Sequence, residues 1–161
     1  SVPVPVVAAV NGPAHGGGYE LALACDIRVA SRSAEFCPAE IAMGIVPPFE
    51  RLAANLSDGR VRELCYTGGR LDAESAARAG LVSDVVPQTD LDERVGDLVA
   101  AIARRSPNAV ARTKQAIVHH RRRTRGDTDR FRLARDETCV RHPDFEESVR
   151  AFRENREPDY G

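Results

Sequence analysis

The chemistry legible in this chain rests on the run Ala14-His15-Gly16-Gly17-Gly18-Tyr19-Glu20 and on a second acid, Glu40, twenty residues beyond Glu20. Three successive glycines let a ligand approach the main chain and allow backbone angles that other residues resist. The stretch from Tyr19 to Cys25 contains good helix formers, which puts the glycines at a helix N-terminus, where unpaired N–H groups and the dipole favour negative charge. An oxyanion would be stabilised there, and two nearby carboxyls would supply proton transfer, a combination suited to reaction at a carbonyl. Each residue also has a plainer use. The glycines could serve only to link strand to helix tightly, Glu20 could only stabilise the helix dipole, and Glu40 could be an exposed acid following Pro38. Against that last use, Glu40 lies in the mostly apolar stretch 36–43, where burial would raise its pKa.

The elements that must position these residues follow from hydropathy. Residues 4–10 are nearly all apolar and predict a strand buried on both faces, ending at the turn Asn11-Gly12-Pro13. The runs 27–30 and 34–37 predict two short strands forming a hairpin or bend beneath the first helix. Pro47 and Pro48 make 43–48 an irregular loop, the kind of segment that often carries sites. Asp58 is expected to cap a helix over 59–67, and Asp72 one over 73–79 that stops at Gly80. A short strand is expected across Leu81-Val82 and Val85-Val86. Longer helices are expected over 89–105 and 107–120, the latter with Ser106 as N-cap and Pro107 in the tolerated first position. Two more follow over 128–140 and 143–155. Their apolar residues Phe131, Ala134, Val140, Phe145, Val149 and Phe152 form a stripe too thin for an independent bundle, so these helices must pack on the α/β part or on another subunit.

Composition narrows the class. At 161 residues and 42% hydrophobic content the chain can bury a core, and no apolar run approaches a membrane span. The net charge of −1 conceals one basic block, His119 to Arg125, without interleaved aromatics, so nucleic acid is not an expected partner. Cys25, Cys37, Cys65 and Cys139 have no metal-ligand spacing and read as buried free thiols, with no metal site and a reducing, cytoplasmic location expected. The N-terminus lacks the residue order of a signal peptide.

The segment from Pro5 to Gly12, the run from Gly16 to Ala30, and Ala34-Glu35-Phe36 through Glu40 closely resemble the crotonase (enoyl-CoA hydratase/isomerase) family. The likeness continues through Tyr66-Thr67-Gly68, residues 73–86 and residues 152–158. It implies an α/β fold, a crotonase-like spiral of ββα units over 1–88, followed by an all-helical region over 89–161 that joins subunits into trimers or hexamers. It also implies an acyl-CoA thioester as substrate, with no further cofactor, whose enolate is held by two backbone N–H groups. Gly17 matches the donor of one of them. Glu20 and Glu40 match the pair that positions water and transfers its hydrogen to and from the α-carbon of a 2-enoyl thioester. Gly16, Ile45 and Pro47 fall at substrate-binding positions.

The sequence departs from the family pattern in two places. Family members carry a further N-terminal segment, ahead of the strand at Val4, that supplies the second oxyanion N–H and much of the CoA pocket. Over 44–52 the family has a longer, glycine-rich loop where this chain has Pro47-Pro48-Phe49, a change that reshapes the acyl pocket. With both acids present, a hydratase-like lyase is the expectation. An isomerase or other enolate chemistry with Glu40 as principal base is the alternative within enzymes. A truncated, non-catalytic acyl-CoA-binding or assembly subunit is the alternative outside them.

Overall fold

The computed structural model describes residues 2–123 and 140–160, with side chains of 120–123 excluded. The chain opens with β1 (Val7–Val10) and β2 (Pro13–His15), and then enters α1 (Gly17–Ala24). Next come β3 (Ile27–Ser31), β4 (Glu35–Cys37), a 3-10 turn (Ala39–Met43), α2 (Phe49–Ala53) and α3 (Asp58–Thr67). Then follow β5 (Leu71–Asp72), α4 (Ala73–Arg78), β6 (Asp84–Val86), α5 (Leu91–Ala103), α6 (Pro107–Arg123) and α7 (Pro143–Glu154).

Among the first four strands, those adjacent in sequence do not pair, and the antiparallel pair β4 and β5 is separated by the turn and helices between them. One sheet has the order β1-β3-β6 and the other β2-β4-β5. The parallel registers Val7↔Ile27 and Pro13↔Glu35 show that each ββ pair repeats the pair before it, one strand per sheet, with α1 crossing between. Of the hairpin or bend expected between the strands at 27–30 and 34–37, the structure takes the bend. The bend at residues 32–34 carries β3 out of one sheet and β4 into the other, so the two strands share no ladder. The first strand also begins later than expected: Val4 and Val6 are exposed, and Ala9 is exposed within β1, so this edge strand is not covered on both faces. Pro13, expected in a turn, starts β2 at the edge of the second sheet, the place where a strand tolerates the missing N–H. The helix expected from Tyr19 starts at Gly17, and the last strand includes only Asp84–Val86, Leu81 and Val82 being buried ahead of it.

Capping agrees with expectation at two helices and not at a third. Asp72 accepts from the Ser75 N–H at 2.7 Å, fixing the start of α4, and Gly80 takes a positive φ of 79° just beyond it. Ser106 Oγ accepts from the Ala109 N–H at the start of α6. Asp58 is the first residue of α3 rather than its cap, and its carboxylate pairs with Arg62 one turn on.

The core is continuous, built from Tyr19, Leu23, Val29, Phe36, Leu52, Leu64, Leu71 and Leu81 among others. A buried arginine ties it together: Arg28 Nε donates to the Leu81 carbonyl at 2.6 Å and Nη1 to the Cys25 carbonyl at 2.9 Å, joining β3, the end of α1 and the approach to β6. Helix α5 packs against β1 and β3, and Lys114 of α6 bonds both Asp26 and the Val4 carbonyl at 2.7 Å. Helix α7 packs on the 3-10 turn. Its buried face is Glu147, Ser148 and Ala151, whereas Phe152 of the expected apolar stripe is 74% exposed. Phe131, Ala134, Cys139, most of the helix expected over 128–140 and the end of the basic block lie outside the described residues. No described helix is long and apolar enough to cross a membrane.

Candidate active site

The three glycines do different work. Gly16 has φ 51° and ψ −122°, a conformation that only glycine adopts readily, and it turns the chain from β2 into α1. Its own N–H donates to the Cys37 carbonyl of β4 at 3.1 Å, and its carbonyl accepts the first helical bond from the Glu20 N–H. Gly17 and Gly18 have ordinary helical geometry, are exposed, and would present an added Cβ with nothing within 4 Å. Neither backbone strain nor packing requires glycine at these two positions. Their N–H groups belong to the first helical turn, which has no internal acceptors, so they form an accessible donor surface for an anion.

Glu40 approaches this surface from the second sheet. It follows β4 and lies in the 3-10 turn, where its Oε1 stands 3.6 Å from the point that a Cβ on Gly16 would occupy. Its other oxygen, Oε2, is buried and has no hydrogen-bond partner among the described residues. Burial pushes the Glu40 carboxyl above its ordinary value, a main-chain hydrogen bond acts against that shift, and the negative charge of Glu20 adds to it. Glu20 occupies the first turn of α1, half-buried, on the same helix end as Gly17. The two acids therefore sense each other across the glycine turn, one on the helix and one on the facing turn.

Of the other expected positions, Gly16 lies directly under Glu40. Ile45 is half-buried, and its N–H closes the Glu40 turn by donating to the Glu40 carbonyl at 3.0 Å. Pro47 is buried, and its carbonyl accepts from the Phe49 N–H, so it shapes the start of α2. The structure adds Tyr19, which the sequence presented only as a helix former. It is 1% exposed, its hydroxyl has no partner among the described residues, and burial together with the charges of Glu40 and Glu20 keeps the phenol protonated. Its place between the glycines and Glu20 was the one signal in the sequence. Nearby, His15 Nε2 lies 2.8 Å from Glu35, which also pairs with Arg70 and so fastens β2 to β4 beside the site.

Cys37 and Cys65 are buried with thiols pushed up by desolvation, whereas Cys25, expected to be buried, is only half so and bonds the Leu21 carbonyl. No three His, Cys, Asp or Glu side chains group around a possible metal position among the described residues. As arranged, the residues could offer anion stabilisation by main-chain N–H groups and proton transfer by the two carboxyls.

The sequence and the fold are similar to those of known proteins. The family model described as enoyl-CoA hydratase/isomerase matches residues 1–161. A short-chain-enoyl-CoA hydratase of Clostridium acetobutylicum is 41% identical over 116 residues, covering 70% of this chain and 44% of that protein. A carnitinyl-CoA dehydratase of Salmonella typhimurium is 36% identical across 96% of this chain and 62% of its own length. Among solved structures, an enoyl-CoA hydratase from Mycobacterium avium subsp. paratuberculosis superposes with a TM-score of 0.92 at 31% identity, covering 99% of this chain and 66% of that one. The chain thus spans about half to two thirds of the length of these relatives.

Proposed function

The chain belongs to the enoyl-CoA hydratase/isomerase family, and from that premise we propose that its protein adds water to a 2-enoyl-CoA thioester, or removes it in reverse. The observation that carries this reading is the placement of Glu40 over Gly16, with Glu20 and the Gly17 N–H on the adjoining helix turn. In the hydration direction, the thioester oxygen rests on the Gly17 N–H, where negative charge developing on the enolate is stabilised. Glu20 accepts a proton from water as its oxygen bonds to the β-carbon. Glu40, whose carboxyl holds its proton more tightly than an exposed acid, delivers that proton to the α-carbon as the enolate collapses. Overall the C=C π bond and one O–H bond of water are broken, one C–O and one C–H bond are formed, and exchange with solvent returns Glu20 to its carboxylate and Glu40 to its acid.

In this proposal Gly16, Ile45 and Pro47 shape the substrate side of the site. The acyl-CoA is the substrate and the proton transfers call for no cofactor. The exposed Phe152, beside Phe145 and Val149 on α7, supports self-association into trimers or hexamers through the helical region over 89–161. The free thiols of Cys25, Cys37 and Cys65 support a reducing, cytoplasmic setting. The test is hydration of a 2-enoyl-CoA by the full-length protein, compared with Glu40→Gln. The variant should lose about 10²- to 10⁴-fold in rate, and unchanged hydration would refute the mechanism. Supplying a 3-enoyl-CoA distinguishes the lyase from an isomerase: a hydratase leaves the double bond where it is.

A further inference from the structure

The turn that carries Glu40 packs against α3 and α7, and on the α7 side the contact is made through a glycine. Gly44 ends the 3-10 turn with a positive φ of 68°; its N–H donates to the Ile41 carbonyl, and the next N–H, of Ile45, donates to the Glu40 carbonyl. At Gly44 the chain lies against the first turns of α7. An added Cβ would stand 3.2 Å from Ser148 Oγ, 3.4 Å from Phe145 Cα and 3.5 Å from the Asp144 carbonyl. Ser148 is 2% exposed and fully engaged, donating to the Asp144 carbonyl at 2.8 Å and sharing a 3.0 Å hydrogen bond with the Tyr160 hydroxyl.

The residues after α7 are folded back by Glu147. This acid accepts from Arg150, from Arg156 at 2.6 Å and from the Asp159 N–H at 3.0 Å, and it is 7% exposed. A polar helix face, satisfied by its own trailing segment, thus forms the wall behind the Glu40 turn. An apolar contact could slide, whereas Ser148 is held at both ends by hydrogen bonds, and Gly44 admits no side chain between turn and wall.

We propose that Ser148, held by Tyr160, is a positioning residue for Glu40, acting through Gly44 to set the depth at which the Glu40 carboxyl sits over Gly16. The inference rests on the reading of Glu40 as a proton-transfer acid. It predicts that the wall affects the rate of the proton step and leaves binding of the thioester nearly unchanged, because the Gly17 N–H lies on a different element.

The experiment measures kcat and KM for 2-enoyl-CoA hydration by the full-length protein carrying Gly44→Ala, Ser148→Ala, both together, and Tyr160→Phe. Gly44→Ala should lower kcat at least tenfold with KM within twofold. Ser148→Ala in the same chain removes the nearest of the atoms that the new methyl meets, the other two lying at ordinary contact distance, and should recover at least threefold of that loss. Tyr160→Phe, which removes one oxygen at a half-exposed position and leaves the fold intact, should lower kcat severalfold with KM unchanged. Equal effects of Gly44→Ala in both backgrounds, or wild-type kcat in Tyr160→Phe, would overturn the inference. Full activity in Glu40→Gln would instead overturn the functional reading on which it stands.

Discussion

Glu40 Oε1 lies 3.6 Å from where a Cβ of Gly16 would be, so a carboxyl from the turn after β4 covers the residue that opens α1. Both residues follow strands of one sheet: Gly16 follows β2, Glu40 follows β4, and the parallel pairing of these strands brings the loops at their ends together. Ligands bind at just such ends in many sheet proteins, since loops there are fixed by the ladder but free to face solvent. The consequences can be measured residue by residue.

Replacing Glu40 should separate activity from stability. Its folded-state pKa is raised above the ordinary 4.5, so the folded protein holds this proton more tightly than the unfolded chain. Stability associated with the protonated acid is complete below that ordinary value and declines as pH rises through the raised one. Glu40→Gln, which cannot ionise, should therefore melt higher than the parent at pH 8 and lose that advantage below about pH 4.5, while hydration falls. Thermal midpoints of the two proteins across pH check the sign. A midpoint difference independent of pH would mean that Glu40 is not held in a desolvated position.

The glycines should respond in opposite ways. Gly16→Ala forces a side chain into a glycine-only conformation and should cost about 1–3 kcal/mol in urea unfolding. Gly17→Ala meets open space in a helical turn and should be neutral or stabilising by up to about 1 kcal/mol, yet lower kcat/KM by about tenfold or more as its methyl crowds the approaching oxyanion. A Gly17→Ala protein with parental kcat/KM would place the anion elsewhere.

This division among three identical residues marks the limit of what the sequence disclosed. The cluster and its helix were legible because residue type and order carry them, and the pairing with Glu40 came from the likeness to the family, since the residues alone left its exposure open. The difference between Gly16 and its neighbours was not, because it depends on a backbone angle fixed by the bond from the Gly16 N–H to Cys37 across the second sheet. The choice between a hairpin and a bend after β3 stayed open for a related reason: the bend at 32–34 is as short as a hairpin loop, and the partners of β3 and β4 that decide it lie far away in sequence. On α7 the apolar residues pointed to one packing face, whereas Glu147 and Ser148 occupy the buried one. Polar side chains can hold that face because Arg156, the Asp159 N–H and Tyr160 satisfy them, and no local pattern announces such partners.

Arg28 should prove costly to remove. Its guanidinium is 6% exposed and serves main-chain carbonyls at Leu81 and Cys25, so Arg28→Leu leaves buried acceptors without donors. We expect a loss of about 2–4 kcal/mol in urea unfolding. A loss under about 1 kcal/mol would show that water replaces the guanidinium.

Glu147 should make its contribution only above the acid range. Hydrogen bonds from Arg156 first, then from the Asp159 N–H and Arg150, hold its carboxyl down to about 2 from an ordinary 4.5. A depressed acid stabilises the fold fully above its unfolded value and loses that effect as pH falls toward the folded one. The difference in unfolding midpoint between parent and Glu147→Gln should be constant above about pH 5 and shrink steadily between 4.5 and 2. A difference that persists unchanged to pH 2 would mean that the residue acts by shape alone.

The strand order has a kinetic meaning as well. Every ladder joins distant points of the chain, Val7 to Ile27, Pro13 to Glu35 and Val29 to Asp84, so neither sheet can be seeded by a local hairpin, and each must wait for a long loop to close. During synthesis, α1 and its glycines leave the ribosome before β4, and β6 follows only much later. Gly16 and Glu40 therefore meet once β2 and β4 have paired, a step that does not wait for β6 because that strand belongs to the other sheet.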